Sequence, residues 1–296
     1  MVDRPNPLAR AAQLACWTAP VDPIPLPGGL TNTNFVVEHD GRRYVVRIGG
    51  DIDVHGIVRA FERAASRAAA AAGISPIVVH TEQDAMVLDY VEGRTLTAKD
   101  IGDHRNLNRL VQLIRRAHRG IPRYFRGPAP MFWPFQVIRD YTHTLEESRS
   151  AYLPMLVPLL DAAERLERAV GPIELVFGHN DMLAANLIDD GKRLWLVDWD
   201  YAGFNSPLFD LAGLVSNNLV GAAEAETVLE LYFDRPVDDV LRRKALAMQA
   251  AALLRETMWS MVSEIHSSLP VDYRHYTAES LGRLEAALAA FDQTGA

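Results

Sequence analysis

The chain has a single cysteine, Cys16, and only three lysines, Lys99, Lys192 and Lys244, in 296 residues. A lone cysteine forms no internal disulfide and supplies no cysteine-based zinc site. The scarcity of lysine leaves arginine or backbone N–H groups to hold any phosphate in the first third of the chain. Basic excess is lacking too. Thirty Lys and Arg stand against 38 Asp and Glu, a net charge of −8, so no nucleic-acid partner is expected. No apolar run approaches the roughly 20 residues of a membrane span. The longest, around Ala64 to Ile74, is alanine-rich and broken by Ser66 and Arg67, so no membrane insertion is expected. The N-terminus, Met1 to Pro20, has Asp3 and early prolines but no signal-type apolar centre. These absences fit a cytoplasmic protein. What is present is an ordinary globular balance, 49% apolar and 23% charged, enough for a sizeable core in one or two domains.

Five prolines in the first 26 residues lead into Pro27-Gly28-Gly29. Thr31 to Glu38 and Tyr44 to Ile48 are β-prone runs around Asp40-Gly41, which predicts a hairpin. Its loop side, Gly28-Gly29-Leu30-Thr31-Asn32, is glycine-rich and polar. Ile57, Phe61, Ala64, Ala68 and Ala72 recur at helical spacing, and Gly73 stops the run. Ile77-Val78-Val79 and Met86-Val87-Leu88 read as short strands. After Glu92-Gly93 the pattern turns helical. Leu107, Leu110, Val111 and Ile114 mark one face, Tyr152 to Ala169 another, and about Glu224 to Phe291 holds three helical stretches. A second hairpin interrupts them, Leu187 to Asp189 and Leu194 to Val197 around Asp190-Gly191. The expected fold is α+β and bilobal. Residues 1–91 form a small antiparallel β-lobe with one helix, and residues 92–296 a larger helical lobe.

The chemistry concentrates in Phe177-Gly178-His179-Asn180-Asp181-Met182-Leu183-Ala184-Ala185-Asn186 and, one hairpin later, Val197-Asp198-Trp199-Asp200-Tyr201. Asp181 and Asn186, five residues apart, fit the two ends of one loop. The Asp190-Gly191 turn returns Asp198 beside Asn186. Hard oxygen ligands from Asn186 and Asp198 suit Mg²⁺ and leave Asp181 free. Phosphoryl transfer needs those two roles, a metal on the phosphate oxygens and a carboxylate that orients the attacking hydroxyl and takes its proton.

This constellation resembles the catalytic loop and metal-binding aspartate of the protein-kinase-like fold, in its aminoglycoside phosphotransferase and choline/ethanolamine kinase branch. The resemblance implies an ATP-dependent kinase with Mg²⁺ and assigns further residues. Gly29, Thr31 and Asn32 fall in the short nucleotide loop, whose N–H groups approach phosphate oxygens. Arg47 takes the place of the phosphate-pairing cation, and Glu62 that of its acidic partner. Asp89 and Val91 fall where backbone groups meet adenine. Asp198-Trp199-Asp200-Tyr201-Ala202, Phe209-Asp210-Leu211-Ala212 and the block from Met258 to Tyr276 are similar to choline/ethanolamine kinases rather than to antibiotic kinases. His179 reads as support for the catalytic loop, Asp210 as its backbone anchor, and His118 as a packing residue.

The implied partner is a small amino alcohol, choline first, with ethanolamine, thiamine or, less fittingly, an aminoglycoside as alternatives. Tyr201, Trp259, Tyr273 and Tyr276 match positions that line the choline pocket of the family. A quaternary ammonium donates no N–H hydrogen bond, so π faces and a carboxylate must offset its desolvation. Two positions depart from the eukaryotic pattern. Asn217 stands where an acidic residue faces the ammonium, and Glu256 where another aromatic stands. Glu256 is three residues before Trp259, on the same helix face, and is expected to replace the lost carboxylate.

Overall fold

The computed structural model describes residues 6–295. A short helix α1 (Pro7–Ala12) precedes a five-stranded antiparallel sheet of β1 (Ile24–Leu26), β2 (Thr33–His39), β3 (Arg42–Ile48), β4 (Val78–Glu82) and β5 (Ala85–Asp89), in spatial order β1-β2-β3-β5-β4. The predicted hairpin is the β2–β3 pair, with Thr33 opposite Ile48. Asp40 and Gly41 both have positive φ, 49° and 70°, the left-handed pair that a two-residue turn requires. Strand β1 carries Pro25 and lies at the sheet edge, where a missing N–H breaks no ladder. Alternate residues Phe35, Val37, Tyr44, Val46, Ala85 and Val87 turn to one face and bury against Ala11 and Leu14.

Helix α2 (Arg59–Ala71) connects β3 to β4. Its buried Ala65, Ala68 and Ala69 belong to the large apolar cluster of the helical part, not to the sheet's own cluster. Small side chains let α2 lie close to α4 (His104–Tyr124), and Glu62 is thereby held against the helical part.

Beyond the sheet come β6 (Arg94–Thr95), α3 (Ala98–Ile101), α4, α5 (Pro134–Glu147), α6 (Leu153–Val170), β7 (Val176–Gly178), β8 (Leu187–Asp189), β9 (Leu194–Leu196), β10 (Gly203–Asn205), α7 (Pro207–Asn217), α8 (Ala222–Phe233), α9 (Asp239–His266) and α10 (Tyr273–Asp292). The predicted second hairpin is β8–β9, joined by β6 as a third strand; β7 pairs with β10. Helix α9, 28 residues or about 42 Å long, runs through the core against α5, α6, α7 and α10. Its stretch from Ala250 to Ser263 is buried nearly all round, with only Glu256 partly exposed. Among the described residues no helix is long and apolar enough to cross a membrane.

Candidate active site

The loop after β7 is built backwards from α7. Asp210, in the first turn of α7, accepts hydrogen bonds from the His179 N–H at 2.8 Å and the Asn180 N–H at 2.7 Å. His118 of α4 bonds Asp210 through Nε2 at 2.8 Å and the Tyr232 hydroxyl through Nδ1 at 2.7 Å. Burial alone would raise the Asp210 carboxyl, but His118 and then His179, through its N–H among others, outweigh it and hold it low. Asn180 adopts φ 65°, a left-handed conformation that its own side chain stabilises by donating to the Tyr201 carbonyl at 2.9 Å. His179 reaches the Val197 carbonyl through Nε2 at 2.9 Å.

The middle of the loop is pinned by Asn218, just past α7. Its Oδ1 accepts from Ala184 N–H at 2.9 Å, and its Nδ2 donates to the Met182 carbonyl at 3.0 Å and the Leu214 carbonyl at 2.8 Å. Asn186 then donates through Nδ2 to the Asp181 carbonyl at 3.0 Å, closing the loop and leaving its Oδ1 free among the described residues. Val197 N–H bonds the Asn186 carbonyl at 2.9 Å, which sets Asp198 beside Asn186. Asp181, Asn186 and Asp198 are thus brought to one place. Burial pushes the Asp181 carboxyl up to about 8; Arg255 opposes the shift, and Glu256, Asp198 and Asp200 add to it.

A buried charge cluster lies behind them. Arg47 of β3 donates through Nε to Glu62 at 2.9 Å and through Nη2 to Asp198 at 2.7 Å and Asp200 at 3.0 Å. Arg59, at the start of α2, donates through Nη1 to Glu62 at 2.7 Å and Asp200 at 2.8 Å, and through Nη2 to the Thr31 carbonyl at 2.7 Å. Two guanidinium groups face three carboxylates. Burial opposes every charge here, yet at Asp200 the two arginines outweigh it and hold the carboxyl well below its usual range. At Glu62 burial wins and raises the carboxyl.

Glu62, Asp198 and Asp200 offer carboxylate oxygens within 4.8 Å of one another, a spacing that suits a metal. Arg47 and Arg59 already occupy the space among Glu62 and Asp200. Asp198 is the partly exposed member, and among the described residues only one of its oxygens is bonded, by Arg47. An oxygen of Asp198 and the free Oδ1 of Asn186 therefore form the donor pair on the open side, with the hard-ligand chemistry that Mg²⁺ takes.

Gly28 and Gly29 have φ of 101° and 93°, which the loop between β1 and β2 requires. Thr31 Oγ1 and Asn32 Nδ2 both donate to Asp200 Oδ2, at 2.5 and 3.0 Å. The loop passes so close to β3 that a Cβ at Gly49 would lie 2.7 Å from Asn32 Oδ1. At the end of β5 the Asp89 N–H is spent on the Ile77 carbonyl at 2.9 Å. Just past β5, Val91 N–H donates to no group among the described residues.

The predicted aromatics gather around Trp259 of α9. Its Nε1 donates to the Tyr201 hydroxyl at 3.0 Å, and its ring centroid lies 6.0 Å from Tyr273 and 6.1 Å from Tyr276. Glu256 joins them, accepting from the Tyr276 hydroxyl at 2.5 Å and from Arg255 Nη1 at 2.9 Å. Asn217, half-buried at the end of α7, makes no hydrogen bond to this group; its amide lies beside Gly213. Two residues that sequence reasoning missed complete the wall. His55, between β3 and α2, bonds Tyr141 at 3.2 Å and Ser263 at 3.0 Å and lies 5.3 Å from the Trp259 ring. Arg255 lies over the Tyr201 ring, 4.4 Å from its centroid. Arg59, Asn218, His55 and Arg255 carry no motif signal, although the adjacency of Arg255 to Glu256 was visible.

The model of the phosphotransferase enzyme family matches residues 22–247. Among curated proteins, the chain is 24% identical to Protein LicA of Haemophilus influenzae over 277 residues, covering 90% of this chain and 79% of that one. It is 29% identical to a thiamine kinase of Escherichia coli over 219 residues, covering 72% of this chain and 73% of the other. Among solved structures, a choline/ethanolamine kinase family protein from Mesorhizobium loti superposes with a TM-score of 0.77 at 28% identity, covering 97% and 95% of the two chains. Choline kinase LicA from Streptococcus pneumoniae does so at 0.75 and 22%, covering 90% and 94%. LicA in complex with AMP does so at 0.76 and 23%, covering 96% and 97%. A family match over most of the chain, on a kinase-like fold shared end to end, makes this protein a member of the phosphotransferase enzyme family and an ATP-dependent small-molecule phosphotransferase.

Proposed function

We propose that the protein transfers the γ-phosphoryl group of ATP, with Mg²⁺, to the hydroxyl of a small amino alcohol, choline first. The observation that carries this reading is the convergence of Asp181, Asn186 and Asp198 next to an aromatic cluster that contains a carboxylate. Asp181 orients the acceptor hydroxyl and accepts its proton as the oxygen attacks the γ-phosphorus and ADP leaves. Arg47, held by Glu62, pairs with the nucleotide phosphates, and Thr31 and Asn32 lay the glycine loop over them. Asn186 and Asp198 hold Mg²⁺, which when bound draws charge off the phosphate oxygens. The Asp89 carbonyl and the Val91 N–H meet the adenine edge. Tyr201, Trp259, Tyr273 and Tyr276 face the acceptor cation, with Glu256 as its counter-charge.

Thiamine is the second reading, favoured by the thiamine kinase relatives and by a carboxylate where choline kinases place a ring. ADP release from the purified chain with Mg-ATP separates these readings over choline, ethanolamine, thiamine and kanamycin. Turnover is expected on an amino alcohol, reduced about 10²–10⁴-fold in Asp181→Asn and abolished in Asp198→Ala. Full activity in Asp198→Ala would sink the assignment.

A further inference from the structure

Arg255 is 4% exposed and its guanidinium is only partly satisfied. Nη1 bonds Glu256, while Nε and Nη2 are buried and bonded to nothing among the described residues. The Tyr141 phenol lies against the guanidinium, close enough for a weak contact, but within ordinary hydrogen-bond geometry Nε and Nη2 have no partner among the described residues. An unmet buried donor is costly, and an unmet charged one more so.

The same chain treats a structural arginine differently. Arg59 is equally buried, and its Nε, Nη1 and Nη2 are all bonded, to the Gly50 carbonyl, Glu62, Asp200 and the Thr31 carbonyl. Nε and Nη2 also form one edge of the guanidinium, the edge that accepts a carboxylate side-on with two parallel bonds. Arg10 uses that edge on Asp84, with Nε at 3.0 Å and Nη2 at 2.6 Å from its oxygens. In Arg255 the edge stands free, in the wall that also holds Tyr201 and Glu256, within range of the Asp181 charge. Glu256 does not fill it, since that carboxylate is shared between Nη1 and the Tyr276 hydroxyl.

We propose that the free edge of Arg255 binds a carboxylate carried by the acceptor, so that the preferred acceptor is a zwitterion with a hydroxyl, an ammonium and a carboxylate in one small molecule. The inference rests on the amino-alcohol kinase reading and narrows it. The ammonium lies against Glu256 and the Trp259 and Tyr276 rings, the carboxylate takes Nε and Nη2 of Arg255, and the hydroxyl meets Asp181. The reaction is unchanged: the hydroxyl oxygen bonds the γ-phosphorus, its proton passes to Asp181, and ADP leaves.

The test is ADP release from the full chain with Mg-ATP over two zwitterions, L-homoserine and L-carnitine, and two acceptors without a carboxylate, choline and ethanolamine. The expected result is a kcat/KM on one zwitterion at least about 10-fold above choline, since two charge-assisted bonds are gained. In Arg255→Met the zwitterion-to-choline ratio should fall about 30-fold or more, mainly through KM. Arg255→Lys, which keeps the charge but not the fork, should recover part of it. Choline or ethanolamine preferred over both zwitterions would overturn the inference and leave the kinase reading standing. So would an unchanged ratio in a folded Arg255→Met. The wild-type preference decides the matter even where Arg255→Met does not fold. No ADP with any acceptor would overturn the kinase reading and this inference together.

Discussion

At the scale of single residues, the buried cluster of Arg47, Arg59, Glu62, Asp198 and Asp200 is the most demanding feature of the molecule. Each charge is tolerated in the interior only because its neighbours are charged oppositely and bonded well. Asp200 is the member on which both arginines and both loop residues, Thr31 and Asn32, converge. Asp200→Ala should therefore cost about 3–5 kcal/mol in urea unfolding, and a loss below about 1 kcal/mol would show that water reaches the cluster. The convergence of Asp181, Asn186 and Asp198 was legible in the sequence because one loop–hairpin unit fixes their spacing, whereas Arg47 and Glu62 came only with the family resemblance. The place of Asp200 at the centre of the cluster was not legible, since its partners lie 141 to 169 residues away. Arg255 was illegible for a related reason. An arginine on a helix reads as a solvated residue unless the rings that cover it are known.

At the scale of elements, α7 governs the catalytic loop from both ends. Asp210 holds the loop entry and Asn218 holds its middle. The anchoring role of Asp210 was expected from its place after the Asp198 motif. That of Asn218 was hidden behind its neighbour Asn217, to which the family comparison drew attention instead. Asn218→Ala leaves two loop groups unpartnered, Ala184 N–H and the Met182 carbonyl. It should lower stability by about 1–3 kcal/mol and kcat more than KM for ATP, because the nucleotide contacts proposed above lie on the sheet side. An equal loss in both parameters would argue against a loop-specific effect. Among the elements not read from the sequence, the helices α1, α5 and α7 each begin with proline. Proline there reads as a breaker, although its fixed φ and missing N–H suit the first helical turn. The long central α9 was legible as helix. Its burial all round was not, because alanine and serine fill a core as readily as a surface.

At the scale of the whole molecule, the sheet and the helical part are joined by more than the chain that runs between them. The segment between β3, which carries Arg47, and α2, which carries Glu62, sends His55 across to Tyr141 of α5 and Ser263 of α9, against the Trp259 ring. Burial and the nearby Arg255 hold the His55 imidazole down to about 3, so it stays neutral at ordinary pH and its contacts do not switch near neutrality. Nucleotide-side and acceptor-side groups are therefore tied to one short piece of chain. In thermodynamic terms such a tie is a coupling free energy, and it is reciprocal. A non-hydrolysable ATP analogue should tighten acceptor binding, and the acceptor should tighten analogue binding, by the same factor, about 5-fold or more. Calorimetric titrations of each ligand with and without the other should give matching factors. His55→Ala should bring both towards one, leaving two sites that fill independently of each other.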